Sequence, residues 1–530
     1  MYRKLISLAV LTALVVPATA QVQDMSISKV GGTGSGDFTY HGTANGFRAY
    51  AFATTSCNEG TVSLQWTSPG QVHIGQNMFK IADGRVIQLG YSWLKLGFCA
   101  VNEFSCGSCQ STSCATLGVG CADTYGSGLN DGAGGHGKHD INPTNAEFIA
   151  GASNPSGSAT IRGRLQVPAT EMGESGATYI AEAQYCYRQD HHAGNGRNNV
   201  SWRQINTTTG SGSVNGTGFA IRRYECAIEA WQEVQPSVTV VEVVNDQEPG
   251  AVADSKGFIV VGYDAINLGG GLFRYEYAVQ NLTSHQAVRT FELPLGCGVN
   301  ITNLYYHDVN HHSGTPYTNI DWVSTVTASS IKWEGPTFAT NANANAIHWG
   351  ELFNFGFTAD APPAGTQATM ATFLPGSLSQ LTAPVEGPCG TAVCGLYNYC
   401  TTSPNSSGSG AVMAATGSSS VSTNNLSLGV VGSAPGQFGL FFYGPTQTSI
   451  PFGDGTLCVT GGVNRLNPPQ GTNVFGDSFR ALDFTSAPMN SGPGAIVPGS
   501  SWNFQWWYRD PAAANTGFNQ SDAVNAVFCP

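Results

Sequence analysis

The densest set of potential ligands in the chain is Tyr306-His-Asp-Val-Asn-His-His-Ser-Gly314. Imidazole and carboxylate together suit zinc or copper, and a catalytic ion would also need an open coordination position. On an extended strand His307 and His311 would share a face but stand about 13 Å apart at about 3.3 Å per residue, too far for one ion. Asp308 and His312 meet the same obstacle on the opposite face. A metal site therefore requires the backbone to turn within the motif, which Asn310 and the Ser-Gly-Thr-Pro that follows allow. His348, in Asn345-Ala-Ile-His-Trp-Gly350, would add an imidazole from another strand. The candidate metal set is thus His307, Asp308, His312 and His348, with zinc or copper as the ion. In the competing reading the same histidines cap strand ends and bond loop carbonyls.

A second candidate is the run FCAVNEFSCGSCQSTSCATLGVGC, which places Cys99, Cys106, Cys109, Cys114 and Cys121 within one short stretch. A C-x2-C pair can open a zinc site, but a zinc ribbon needs a second such pair, and none follows. The spacing favours disulfides over zinc or iron-sulfur ligation, so the run is scaffold. Its odd count sends at least one cysteine outside, with Cys57 the nearest partner. Cys458 and Cys529 are expected to pair in the final region, since each lies near a predicted strand end.

Weaker signals are His136-Gly-Lys-His139-Asp140 and His191-His192, both set among glycines and asparagines, where solvated loop histidines are the ordinary outcome. Asp131 and Asp454 sit in turns that lack the acidic ladder of a calcium loop. No G-x-S-x-G elbow is present, and no carboxylate pair stands out for glycoside hydrolysis. Trp322, Trp333 and Trp349, and the Trp506-Trp507 pair, would stack on sugars if exposed.

The elements that must position these residues are strands. Met1-Tyr-Arg-Lys, an apolar stretch and Pro17-Ala-Thr-Ala20 read as a signal peptide over 1–20, with Gln21 rather than Cys following, so neither a lipid anchor nor a transmembrane anchor is expected. The 14 cysteines then fall in an oxidising compartment. Only 11% of the 530 residues are charged, glycine numbers 67, and the net charge is -12, with no basic cluster to grip nucleic acid. About 510 mature residues exceed one hydrophobic core and imply several domains.

From Phe47 to Leu96 the chain alternates apolar and polar residues, and Ala82-Asp-Gly-Arg85 is a tight-hairpin signal. Residues 21–235 therefore form an N-terminal β domain, interrupted over 99–160 by an irregular Cys- and Gly-rich excursion. Tyr179, Ala181, Ala183, Tyr185 and Tyr187 share one face of a later strand. Residues 236–388 read as a β-sandwich: Phe273, Tyr275, Tyr277 and Val279 face one way and Arg274 and Glu276 the other, and Phe353, Phe355 and Phe357 share a face. Residues 389–530 form a C-terminal β module in which Trp502, Phe504, Trp506 and Tyr508 alternate with polar neighbours. The stretch SPNSSGSGAVMAATGSSSVSTNN reads either as a linker or as containing a strand. The fold class is all-β: several sandwich-like modules stapled by disulfides.

Taken together, IQLGYSWLKLGF, LGVGCADTYGSGLN, YEYAVQNL, HDVNHHSG and NANANAIHWGELFNFGF resemble the motifs of a family of secreted, multi-domain bacterial β proteins, over most of residues 75 to 365. The family pattern places a histidine where this chain has Leu96 and an arginine where it has His348. The positions that match are His307, Asp308 and His312. The ending FFYGP, PFGDG and WNFQWWYRDP is similar to a C-terminal module reused in many exported bacterial proteins, which implies attachment, stability or secretion more than catalysis.

These observations define an exported, secreted or cell-surface protein with a binding or structural role, polysaccharide or cell envelope being the partner. The alternative is a metal-dependent extracellular hydrolase or oxidase built on the HDVNHH loop.

Overall fold

The computed structural model describes residues 22–68, 71–149, 151–208, 212–295, 299–388, 395–498, 500–513 and 515–528. The export segment expected over 1–20 and Cys529 lie outside them. Strands are the dominant regular element of the described residues, joined by many turns and loops. The α-helices are Arg188–His192 and Ala227–Val234, and no helix among the described residues is long and apolar enough to cross a membrane.

Two compact units emerge. One contains residues up to Leu293 together with Val299–Ala361 and Ala368–Pro384, and the other comes chiefly from Val385 onward. The first unit is built on a mixed-length antiparallel sheet in the order Val214–Asn215, Val200–Thr207, Thr178–Cys186, His73–Ala82, Arg85–Tyr91. His73–Ala82 and Arg85–Tyr91 form the expected hairpin, because Asp83 (φ 50°) and Gly84 (φ 77°) both take the left-handed conformation that a two-residue turn demands. Tyr179, Ala181, Ala183, Tyr185 and Tyr187 pack as one face into a core with Met25, Trp66 and Met78, as their period-2 spacing dictates.

Residues 236–388 supply two further five-stranded sheets. The first runs Thr239–Asn245, Gly257–Gly269, Leu272–Asn281, Glu351–Ala359, Ile301–His307. Tyr275 and Tyr277 pair across strands with Phe357 and Phe355, so the aromatic faces read from the sequence coincide in one buried stack. The regions 21–235 and 236–388 share a core within this unit. Helix Ala227–Val234 sets Ile228 and Trp231 among Phe79, Ile180 and Trp202 of one sheet and Val260, Ala278 and Leu352 of the other.

The cysteine run is scaffold. Cys57 bonds Cys106, Cys99 bonds Cys114 and Cys109 bonds Cys121, so Cys57 is the outside partner and no cysteine of the run is free. Closing loops of this size constrains the unfolded chain by about 3 kcal/mol per bridge, which substitutes for the periodic core this stretch lacks. The Cys458–Cys529 expectation is corrected, for Cys458 bonds Cys400. Cys458 sits in the hairpin Thr446–Phe452 with Gly455–Thr460, and Cys400 directly follows the edge strand Gly395–Tyr399, a proximity invisible to spacing alone.

In the second unit Gly395–Tyr399, Phe518–Val527, Ser501–Arg509, Phe438–Gly444 and Asn464–Arg465 form one sheet. Trp502, Phe504, Trp506 and Tyr508 are buried on one face with Phe441 and Tyr443. Phe442, Trp507 and Ala523 lie on the other, under the hairpin Thr446–Phe452 with Gly455–Thr460. The Ser-rich stretch contains a strand, Val412–Thr416, paired with Ser427–Val431.

Candidate functional site

Strand Ile301–His307 delivers the histidine motif to the edge of the sandwich, and the chain then leaves the sheet. Ser313 (φ 57°) and Gly314 (φ 88°) turn it back, so the motif does bend. Asn319 holds the bend: its Oδ1 accepts the His311 N–H at 2.6 Å and its Nδ2 donates to the His311 carbonyl at 3.1 Å.

The bend does not make a metal site. Among the described residues no three His, Cys, Asp or Glu side chains gather in a way that could hold an ion. His307 remains at the strand end, with Nδ1 buried and unpartnered and burial pushing its pKa down to about 4. The Asp308 carboxylate accepts hydrogen bonds from Tyr306 Oη (3.0 Å) and Asn345 Nδ2, and burial raises its pKa. The His312 ring stacks on Tyr91 with centroids 4.7 Å apart. Its Nε2 lies 2.8 Å from the Tyr91 carbonyl and its Nδ1 2.9 Å from Ser313 Oγ. Burial pushes its pKa down to about 4, so the neutral ring donates from Nε2 to the carbonyl and accepts at Nδ1 from the hydroxyl. His348 lies flat against Tyr317, centroids 3.6 Å apart, and burial likewise takes it to about 4. Asp308, His312 and His348 are thus engaged by separate neighbours, and His307 stays apart at the strand end.

What the loop brings together is a different set. His311 Nδ1 is 3.2 Å from Glu351 Oε1 and 3.3 Å from Tyr91 Oη, and its Nε2 is 3.2 Å from Asn345 Oδ1. Burial alone would lower the His311 pKa, but the Glu351 charge and oxygen acceptors at both ring nitrogens raise it. For Glu351, burial would raise the pKa and the His311 cation brings it down. The other Glu351 oxygen accepts the His348 N–H at 2.9 Å. Beside this pair lies Lys138, whose Nζ reaches Asn77 Oδ1 (3.1 Å) and the Gly350 carbonyl (3.2 Å) under the Tyr91 and Trp349 rings. Burial lowers its pKa to about 8. Gly350 is required here: its φ is 74°, and a Cβ would collide with the Lys138 ammonium. Glu182 completes the floor, accepting from Asn77 Nδ2, Gln280 Nε2 and the Ala227 N–H that opens a helix.

His136 and His139 flank Lys138. His136 Nε2 is 3.1 Å from His73 Nδ1, and Asp140 takes donors from the Gly137 N–H, the Ser153 N–H and the Ser153 hydroxyl. A cavity of about 240 Å³ reaches the network, walled by His311 and His312 with Phe47, Leu89 and Gln166. Sequence reasoning missed Lys138, Glu351 and Tyr91. The available signal was Glu351 itself, a charged residue opening the apolar strand ELFNFGF.

The proposed sugar platforms are corrected. Trp322, Trp333 and Trp349 are 4%, 1% and 5% exposed, because the sandwich and loop aromatics enclose them. Trp322 packs on Tyr306 and Phe353 and donates to the Asn345 carbonyl, Trp333 meets Phe355, and Trp349 donates to the Lys138 carbonyl.

No family model and no curated protein matches the chain. Among solved structures it is similar to a beta-1,2-glucanase from Parabacteroides distasonis, at 9% identity over 56% of this chain and with a TM-score of 0.12. The chain spans 37% of that glucanase's length. It is also similar to a biofilm associated protein, BSP domain, at 8% identity over 98% of this chain and 84% of that one, again with a TM-score of 0.12. Scores this low assign neither a fold nor an activity.

Proposed function

We propose that this protein is exported and acts at or outside the cell surface through binding or structure, its histidine loop serving as an internal clasp. The observation that carries this reading is the engagement of His312. Both of its ring nitrogens are hydrogen-bonded and the ring is stacked on Tyr91, which leaves this imidazole no free lone pair for an ion or a substrate proton. The clasp ties the loop after Ile301–His307 to the strand Arg85–Tyr91. The four disulfides among the described residues suit maturation in an oxidising compartment, and the acidic balance suits a partner other than nucleic acid. Polysaccharide or cell-envelope material is the partner class, met by surfaces other than the three buried tryptophans.

The test is co-sedimentation of the purified protein with insoluble polysaccharides and envelope fractions, beside metal analysis of protein prepared without chelator. Pelleting with at least one fraction, and substoichiometric zinc and copper, are expected. Stoichiometric metal whose removal abolishes a hydrolytic or oxidative activity would overturn the reading, as would failure to pellet with any fraction.

A further inference from the structure

The second unit contains a cleft of about 550 Å³, within the roughly 300–1,000 Å³ of small-molecule sites. Its walls are Leu440, Phe442 and Trp507 from the sheet, Phe452 and Leu457 from the overlying hairpin, and Val463 at the rim. The hairpin is tied to the sheet at a fixed place, with Val459 packed against Phe442 and Ala523 beside the cleft. Cys458 is bonded to Cys400, its N–H donates to Gln505 Oε1 at 2.9 Å, and Gln505 Nε2 donates to the Thr456 carbonyl at 2.8 Å. The cleft is therefore preformed.

Two polar residues complete the lining. Arg465 makes no ion pair or side-chain hydrogen bond among the described residues, leaving a cation at an apolar opening. Gln520, 1% exposed, lies at the floor with an Oε1 that lacks any donor. An apolar wall favours an apolar body on the ligand, and the exposed guanidinium at its mouth favours an anionic head over a cationic one. We propose that this cleft binds a single aliphatic chain bearing a carboxylate, its chain between Phe442, Leu457 and Trp507 and its head at Arg465. This inference is independent of the histidine clasp: failure to pellet with envelope leaves it standing, and failure here leaves the clasp standing.

The experiment is calorimetric titration of the full chain with decanoate, and with decyltrimethylammonium as the cation of equal chain length. One-site saturation by decanoate is expected, with the cation at least tenfold weaker. Arg465→Gln, on an exposed side chain, should weaken decanoate binding about tenfold by removing a charge-assisted contact. Val463→Glu, at a rim position 47% exposed, should weaken it at least as much by repulsion. Both variants should retain the wild-type unfolding curve. Phosphatidylglycerol vesicles, which carry two chains and a phosphodiester in place of the carboxylate, should not compete with decanoate; competition by them would overturn the choice of a single-chain carboxylate. No saturable binding, equal affinity for anion and cation, or unchanged affinity in both folded variants would overturn the proposal.

Discussion

His312 permits a prediction whose size follows from its surroundings. Its folded-state pKa is pushed down to about 4 by burial first, with the nearby His311 and Lys138 charges adding to the effect. In the unfolded chain the same imidazole titrates near 6.5. On acidification the unfolded state therefore takes up the proton first, and stability present above about pH 6.5 drains away as the pH falls toward 4. Between pH 7.5 and pH 5 the difference amounts to about 2 kcal/mol from this one group. His312→Gln removes the titration while keeping the chemistry of the site, because the amide can donate to the Tyr91 carbonyl and accept from Ser313. The variant loses some stacking at every pH, which is a constant offset. The measurement is urea unfolding of wild type and variant at both pH values, followed by tryptophan fluorescence. The wild type should lose about 2 kcal/mol more than the variant on going to pH 5. Other titrating groups cancel in this double difference. Parallel losses would show that the His312 ring is not held neutral against Tyr91, and would refute the clasp.

Two further outcomes are expected. Glu351→Gln leaves His311 and Lys138 buried without their carboxylate and should cost about 3–5 kcal/mol in denaturant unfolding, while the His311 NMR titration moves to lower pH. Mass spectrometry of the unreduced protein should find the Cys57–Cys106, Cys99–Cys114, Cys109–Cys121 and Cys400–Cys458 links, with Cys186 and Cys226 alkylated only after unfolding, since both thiols are buried and burial raises their pKa. A modified Cys226 in the folded protein would contradict the core around helix Ala227–Val234.

What was legible in the sequence is what a period of two can encode. The faces carrying Tyr179 to Tyr187, Tyr275 with Tyr277, and Phe353 to Phe357 are all buried as read. The Asp83-Gly84 turn was legible because backbone sterics alone select it. The histidine loop was not, because once a chain leaves the sheet its side chains no longer alternate, and nothing in HDVNHHSG says that His311 will meet a glutamate forty residues later. Lys138 escaped for a related reason. Its neighbours Asn77 and Gly350 come from a strand and a turn distant in sequence, so only the assembled sheets show that a lysine amid glycines is buried. The three tryptophans were ambiguous by type, and burial settled them.

The overlapping bridges of the cysteine run have a mechanical consequence. Cys57 bonds Cys106, and only three residues farther along Cys109 bonds Cys121, so the covalent path across this region is two disulfides and a short link. The segments enclosed, 49 and 12 residues by separation, carry no load when the chain is pulled from its ends. At about 3.4 Å per residue some 200 Å of contour is withheld from extension. A protein fixed outside the cell and dragged by flow would thus keep this part of its N-terminal region at nearly constant length even after its sheets had parted, and would release that slack only on reduction.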